Sequence, residues 1–179
     1  MLEVEFKGQQ SVIFIFKSQL PNSLYIRFMQ NTITLHDKSF KPYISAEEIQ
    51  NRIENIATQL MKDYGTRRPL FLAILNGSFM FASDLMKATK LECEISFVKI
   101  ASYQGTSSTG NVKTLIGLDV NIEGREVIIV EDIVDTGKTL SEFMPVLQGY
   151  HPQSISIATL LFKPSALKYN VHPKYVGFE

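Results

Sequence analysis

The chain has one cysteine, no surplus of either charge, and no long apolar run. Cys93 stands alone among 179 residues. No internal disulfide can form, cysteine-based metal ligation is disfavoured, and a reducing cytoplasm is the simplest compartment. Eighteen Lys and Arg balance eighteen Asp and Glu, which argues against a general nucleic-acid or anionic-membrane binder. The longest apolar run near the start, Val12-Ile13-Phe14-Ile15-Phe16, is too short to span a bilayer. No small-residue cleavage site comes after it, so it does not read as a signal peptide. Internal repeats and heptads are absent too. What is present is 45% hydrophobic and 20% charged, the composition of one soluble globular domain whose core needs neither disulfide nor metal.

Residues 1–28 fit the rest poorly. They hold strand-like pieces, Val12 to Phe16 and Leu24 to Phe28, without turn chemistry linking them to the remainder of the chain. Met29 opens a stretch, MQNTITLHDKSF, with the look of a natural N-terminus. The expectation is an appended or mis-started segment over 1–28 and one domain over 29–179; an extra hairpin is the alternative. From Ile44 the helical period takes over, with Ser45 as N-cap and Glu48 at the capping-box spacing. Ile49, Ile53, Ile56 and Leu60 fall on one apolar face, and Gly65 and Pro69 end the helix. Leu70 to Leu75 is continuously apolar, as in a strand buried on both faces.

Asn76-Gly77-Ser78 breaks that strand, and Phe79 to Lys87 reads as a helix. Ile95 to Ile100 is the next strand, leading into a polar Gly/Ser/Thr loop from Ser102 to Asn111. A strand from Glu126 to Glu131 leads to a helix from about Thr139 to Leu147. Ser154 to Phe162 and Tyr175 to Phe178 are the last strands. Alternating helices and buried strands imply an α/β fold, a parallel twisted sheet with helices on both faces. Ligands in such folds bind beyond the carboxyl ends of the strands.

At one of those ends stands EVIIVEDIVDTGKTL, Glu126 to Leu140. A glycine turn entering a helix aims several unpaired backbone N–H groups, and the positive end of the helix dipole, at one spot. Asp135, Thr136, Gly137, Lys138 and Thr139 therefore suit a monophosphate, and the spacing is not that of a Walker loop. Glu131 and Asp132 would repel a phosphate. They suit the hydroxyl pair of a sugar, or a hard cation such as Mg²⁺. Together the two halves match a ribose 5-phosphate, with Asp135 left to accept a proton. A plain helix cap decorated with acids would explain Asp135 and Thr136, but not two carboxylates directly after a buried strand.

VIIVEDIVDTGKTL resembles the ribose-phosphate signature of phosphoribosyltransferases, the hypoxanthine-guanine type in particular. LAILNGSFMFASDL resembles that family's pyrophosphate turn, VKIASYQGTSSTGNVK its mobile active-site loop, and ATLLFKP its purine-reading segment. The four stand in the family's order and cover about Asn31 to Glu179. The resemblance implies the type I phosphoribosyltransferase fold and a Mg²⁺-dependent transfer of ribose 5-phosphate from phosphoribosyl pyrophosphate to a 6-oxopurine, in purine salvage. It implies that Glu131 and Asp132 hold the ribose hydroxyls and the metal, and that Asp135 to Thr139 cradle the phosphate. Asp135 would be the base toward the purine N7 proton. Leu75, Asn76, Gly77 and Ser78 would take pyrophosphate, with a cis peptide between the first two.

Ser102 and Tyr103 would belong to the closing loop. Lys163 would donate to the purine 6-oxygen, favouring hypoxanthine and guanine over adenine. Asn76 departs from the basic residue frequent at its position. The family continues beyond the strand matched by Tyr175 to Glu179, with a stacking aromatic, an aspartate and an arginine; their absence here leads us to expect a C-terminally truncated reading. For assembly the resemblance implies a homodimer or homotetramer. A xanthine-type transferase and a non-catalytic nucleotide sensor remain the competing readings, the second disfavoured because Asp135 is retained.

Overall fold

The computed structural model describes residues 43–100 and 117–179 in full, and the backbone of short strands outside those spans. By its internal contacts the chain falls into two units, 1–50 and 51–179. The first holds two antiparallel hairpins: β1 (Leu2–Phe6) with β2 (Gln9–Ile13), and β3 (Ile33–Leu35) with β4 (Lys38–Phe40). The strand expected at Val12 is thus found as Gln9–Ile13. The pieces Phe14 to Phe16 and Leu24 to Phe28 lie outside the described residues.

Helix α1 (Ala46–Tyr64) starts on the expected capping box. The Ser45 amide donates to Glu48 Oε2 at 2.8 Å, and the Glu48 amide donates to Ser45 Oγ at 3.1 Å, satisfying two donors that a helix start leaves open. At the other end Gly65 adopts φ 57 and its N–H donates to Met61 O at 3.0 Å. Only glycine enters that left-handed geometry without a Cβ penalty.

The second unit is built on a six-stranded sheet. Its strands are β5 (Leu70–Leu75), β6 (Glu94–Ala101), β7 (Thr114–Ile116), β8 (Glu126–Val134), β9 (Ser154–Phe162) and β10 (Tyr175–Phe178), ordered β10-β9-β8-β5-β6-β7. Five are parallel. Residue pattern alone does not announce β7, which closes the edge antiparallel to β6. β8 also runs past its expected end at Glu131 as far as Val134, because its ladder with β9 continues through Glu131↔Thr159 to Val134↔Phe162.

Side chains alternate along each strand, so each face of the sheet takes every second residue. Leu70, Leu72, Val127 and Ile129 pack with Leu140, Phe143 and Leu147 of α3 (Lys138–Gln148). Phe71, Ala73, Ile128 and Val130 point the other way and are equally buried; α2 (Phe79–Ala88) packs against β5 and β8. A strand with both faces covered has no polar side to offer, which is why β5 and the first part of β8 read as unbroken apolar runs. β10 is tied to α1 by the Tyr175 hydroxyl, which donates to Asp63 Oδ2 at 2.8 Å, and by Lys174, which pairs with the same carboxylate at 2.7 Å.

Candidate active site

Two strand-to-helix turns, after β5 and after β8, lie at the carboxyl edge of adjacent strands. The first begins with a cis peptide between Leu75 and Asn76, as the resemblance implied. Ser78 is fully buried, and its hydroxyl donates to Ile74 O at 2.6 Å. Its side chain therefore holds the turn together, leaving Asn76 and Gly77 as the exposed members. A Cβ placed on Gly77 would come within 2.7 Å of Asp132 Cγ. Glycine is required there because the Asp132 carboxylate lies directly against the turn.

Glu131 and Asp132 are strand residues, so alternation sends them to opposite faces of β8. Asp132 goes toward the β5 turn. Its own amide and that of Ile133 hydrogen-bond its carboxylate, while burial acts the other way and on balance raises its pKa. Glu131 is more extreme. Burial first, and the Asp132 charge second, push it up to about 8. One of its oxygens, Oε2, is buried without a hydrogen-bond partner. A buried carboxylate oxygen with nothing to bond is costly, so this group stands ready for a donor or a cation.

After Val134 the chain turns through Asp135, exposed, into Thr136 and Gly137. Gly137 has φ 79, and its carbonyl accepts the first helical bond from the Ser141 amide at 2.9 Å. Thr136 Oγ1 accepts from the Lys138 amide at 3.3 Å. Gly137 at the N-cap brings no side chain, so apart from the Thr136 hydroxyl the helix start is open, with Lys138 and Thr139 exposed beside it. Such a start leaves backbone N–H groups open to an acceptor. Lys163 comes directly after β9 and is exposed, its amide donating to Val134 O at 2.9 Å. Ser102 and Tyr103 lie outside the described residues.

The acids, both turns and Lys163 thus share one edge of the sheet. A cavity of about 500 Å³ between α3 and β9, lined by Met144, Ile157 and Tyr169 among others, contains none of them. Sequence reasoning missed the segment after β9. Backbone amides of Lys168 and Tyr169 donate to Thr136 O at 3.0 and 3.3 Å, and Leu167 and Val171 cover Gly137. Nothing local marks these residues, since their partners are some thirty positions away in a chain read window by window.

Comparison with known proteins agrees with this geometry. Residues 45–179 match the phosphoribosyl transferase domain. The chain is 40% identical over 143 residues to the hypoxanthine phosphoribosyltransferase of Buchnera aphidicola subsp. Schizaphis graminum, covering 78% of this chain and 81% of that one. It is 34% identical over 155 residues to the bifunctional protein TilS/HprT of Listeria monocytogenes, covering 86% of this chain but only 24% of that longer protein. A crystal structure of a hypoxanthine-guanine phosphoribosyltransferase from Bacillus anthracis superposes with a TM-score of 0.67 at 35% identity, covering 76% of this chain and 79% of the other. The parallel sheet, the uncapped helix at a glycine turn, the adjacent acids and these matches lead to one conclusion: the chain belongs to the phosphoribosyltransferase family.

Proposed function

We propose that the protein transfers ribose 5-phosphate from phosphoribosyl pyrophosphate to hypoxanthine, and to guanine, giving IMP or GMP and pyrophosphate. The observation that carries this reading is the pairing of an uncapped helix start at Gly137 with two half-buried acids at the same strand end. An anion cradle alone would suit many phosphates. Diol acceptors beside it select a phosphorylated sugar.

In this reading the 5-phosphate rests on the turn from Asp135 to Thr139, and Glu131 and Asp132 accept the ribose hydroxyls. Asp132, already against Gly77, lies between the sugar and the pyrophosphate turn at Asn76 to Ser78. The bond from the anomeric carbon to pyrophosphate breaks as the bond to the purine ring nitrogen forms on the opposite face. The proton released from the purine passes to Asp135. The transition state has oxocarbenium character, so placement and charge stabilisation do most of the catalysis. Lys163 donates to the purine 6-oxygen, a contact adenine's amino group cannot accept.

Among the described residues no three His, Cys, Asp or Glu converge as a metal cage. Mg²⁺, however, is commonly held by one or two carboxylates together with substrate oxygens. The orphaned Glu131 oxygen fits that role, since a dication would offset the burial and, second to it, the Asp132 charge that raise the Glu131 pKa. When bound, the ion would neutralise charge on the leaving pyrophosphate. Residues 29–179 form the transferase domain in this reading, with 1–28 an appendage; the compartment is the cytoplasm.

The test offers the purified chain Mg²⁺, phosphoribosyl pyrophosphate and each of hypoxanthine, guanine, xanthine and adenine, and monitors nucleotide formation. Product from hypoxanthine or guanine but not adenine supports the reading and the role of Lys163. Product from xanthine alone would replace it with a xanthine-type enzyme. Binding of phosphoribosyl pyrophosphate without product, and unaffected by Asp135→Asn, would favour a sensor.

A further inference from the structure

We propose that the segment Leu167–Val171 is a brace that sets the phosphate cradle, with Leu167 and Val171 as positioning residues acting through Gly137. This rests on the phosphate reading of the turn after β8. In a trans peptide the C=O and N–H point in opposite directions. The Thr136 carbonyl receives two donors from the brace, the Lys168 amide at 3.0 Å and the Tyr169 amide at 3.3 Å. Turning that carbonyl toward the brace aims the Gly137 N–H away from it, toward the open start of α3. Any anion seated there meets a donor already oriented.

Two side chains of the same segment close on Gly137 itself. A Cβ on Gly137 would stand 3.0 Å from Leu167 Cδ1 and 3.4 Å from Val171 Cβ. Leu167 and Val171 therefore close on the Cα of Gly137 and leave it little freedom to leave φ 79. Gly137 has two reasons to be glycine: its left-handed φ, and the apolar wall behind it. The wall belongs to the stretch that opens with Lys163, whose amide is bonded to Val134 O. Backbone bonds thus fasten this stretch to the β8 turn at both Val134 and Thr136.

Preorganised N–H groups matter because an anion bound to donors that must first reorient loses the reorientation cost from its affinity. Releasing the brace should weaken the cradle without unfolding the sheet.

The experiment uses the full 179-residue chain and ribose 5-phosphate as the probe, with affinity and stoichiometry from titration calorimetry. The variants are Leu167→Ala, Leu167→Met and Lys168→Pro. Proline removes the Lys168 donor, and the extended conformation of Leu167 (φ −62, ψ 124) tolerates a proline after it. Leu167→Ala and Lys168→Pro should each weaken binding about tenfold, the effect of one charge-assisted hydrogen bond, with stoichiometry near one. Leu167→Met, which refills the space over Gly137, should restore affinity.

A merely structural role would lower the stoichiometry, as misfolded chains drop out, and leave the dissociation constant of the folded fraction unchanged; that result overturns the brace. If Lys168→Pro does not fold, the Leu167 pair decides alone. Unchanged affinity in both weakening variants overturns the brace and leaves the phosphate site standing. Failure of the wild-type chain to bind ribose 5-phosphate overturns the cradle reading and the brace with it.

Discussion

Glu126 and Glu131 lie on the same strand and meet opposite fates. Glu126, at the start of β8, is paired with Arg67. Close by, Glu94 at the start of β6 is paired with Arg125 at 2.9 Å, and that guanidinium holds its pKa below the usual carboxylate range. Glu131, near the other end of β8, is half-buried next in sequence to a second acid, with one buried oxygen unbonded and its pKa raised to about 8. The amino edge of the sheet satisfies its carboxylates internally, and the carboxyl edge leaves one unsatisfied. Stability explains the first arrangement. The second costs stability, and such groups persist where a ligand completes them.

The contrast between the two edges is tested hardest at Asp135. If the carboxyl edge carries the chemistry, Asp135→Asn should lower nucleotide formation by roughly a hundred- to ten-thousand-fold, the usual range for removing a general base. Affinity for ribose 5-phosphate should change far less. An equal loss in both would mean that Asp135 binds rather than takes the proton.

Glu131 gives the next largest effect. Its carboxyl holds a proton more tightly folded than unfolded, with a pKa of about 8 against an ordinary 4.5. The contribution of Glu131 to stability should therefore be greatest below about pH 4.5 and fall as the pH rises toward 8, by on the order of a few kcal/mol. Urea midpoints at several pH values, without added divalent ions, check this. Glu131→Gln should flatten that slope and stabilise the chain at pH 8. A slope unchanged in the variant would show that Glu131 is not the group responsible.

Gly77→Ala tests the contact between the two turns. Its new methyl meets the Asp132 carboxylate, so pyrophosphate affinity should fall, by about tenfold if one hydrogen bond to the turn is lost. Asp132→Ala in the same chain should restore the turn's geometry but not ribose binding. At the amino edge the effects should be smallest. Arg67 is about half exposed, so Arg67→Ala should cost about 1 kcal/mol or less, and less still at high salt. A loss of several kcal/mol there would erase the contrast between the two edges.

Much of this was legible in the sequence for local reasons. The capping box at Ser45 and Glu48 and the glycine stop at Gly65 involve neighbours within one helical turn. The buried strands announce themselves because a sheet covered on both faces admits only apolar residues. The turn at Gly137 is readable as a glycine between a buried strand and a helix. The limits of β8 were not, because its extension to Val134 is fixed by the ladder to β9 and not by its own residue types. The short strand β7 is set in the same way by its partner β6.

Composition, periodicity and the acid-rich turn were enough for the α/β class and for the edge of the sheet that carries the site. They also set a glycine turn at a helix start next to two carboxylates. The surroundings of each of those groups came from tertiary packing alone. It set Asp132 against Gly77 and left Glu131 with an unpartnered oxygen, and it brought Leu167 and Val171 down on Gly137. The reason is physical. Secondary structure answers to neighbours a few residues away, whereas desolvation, close packing and the aim of a peptide bond are fixed by whatever the fold brings alongside.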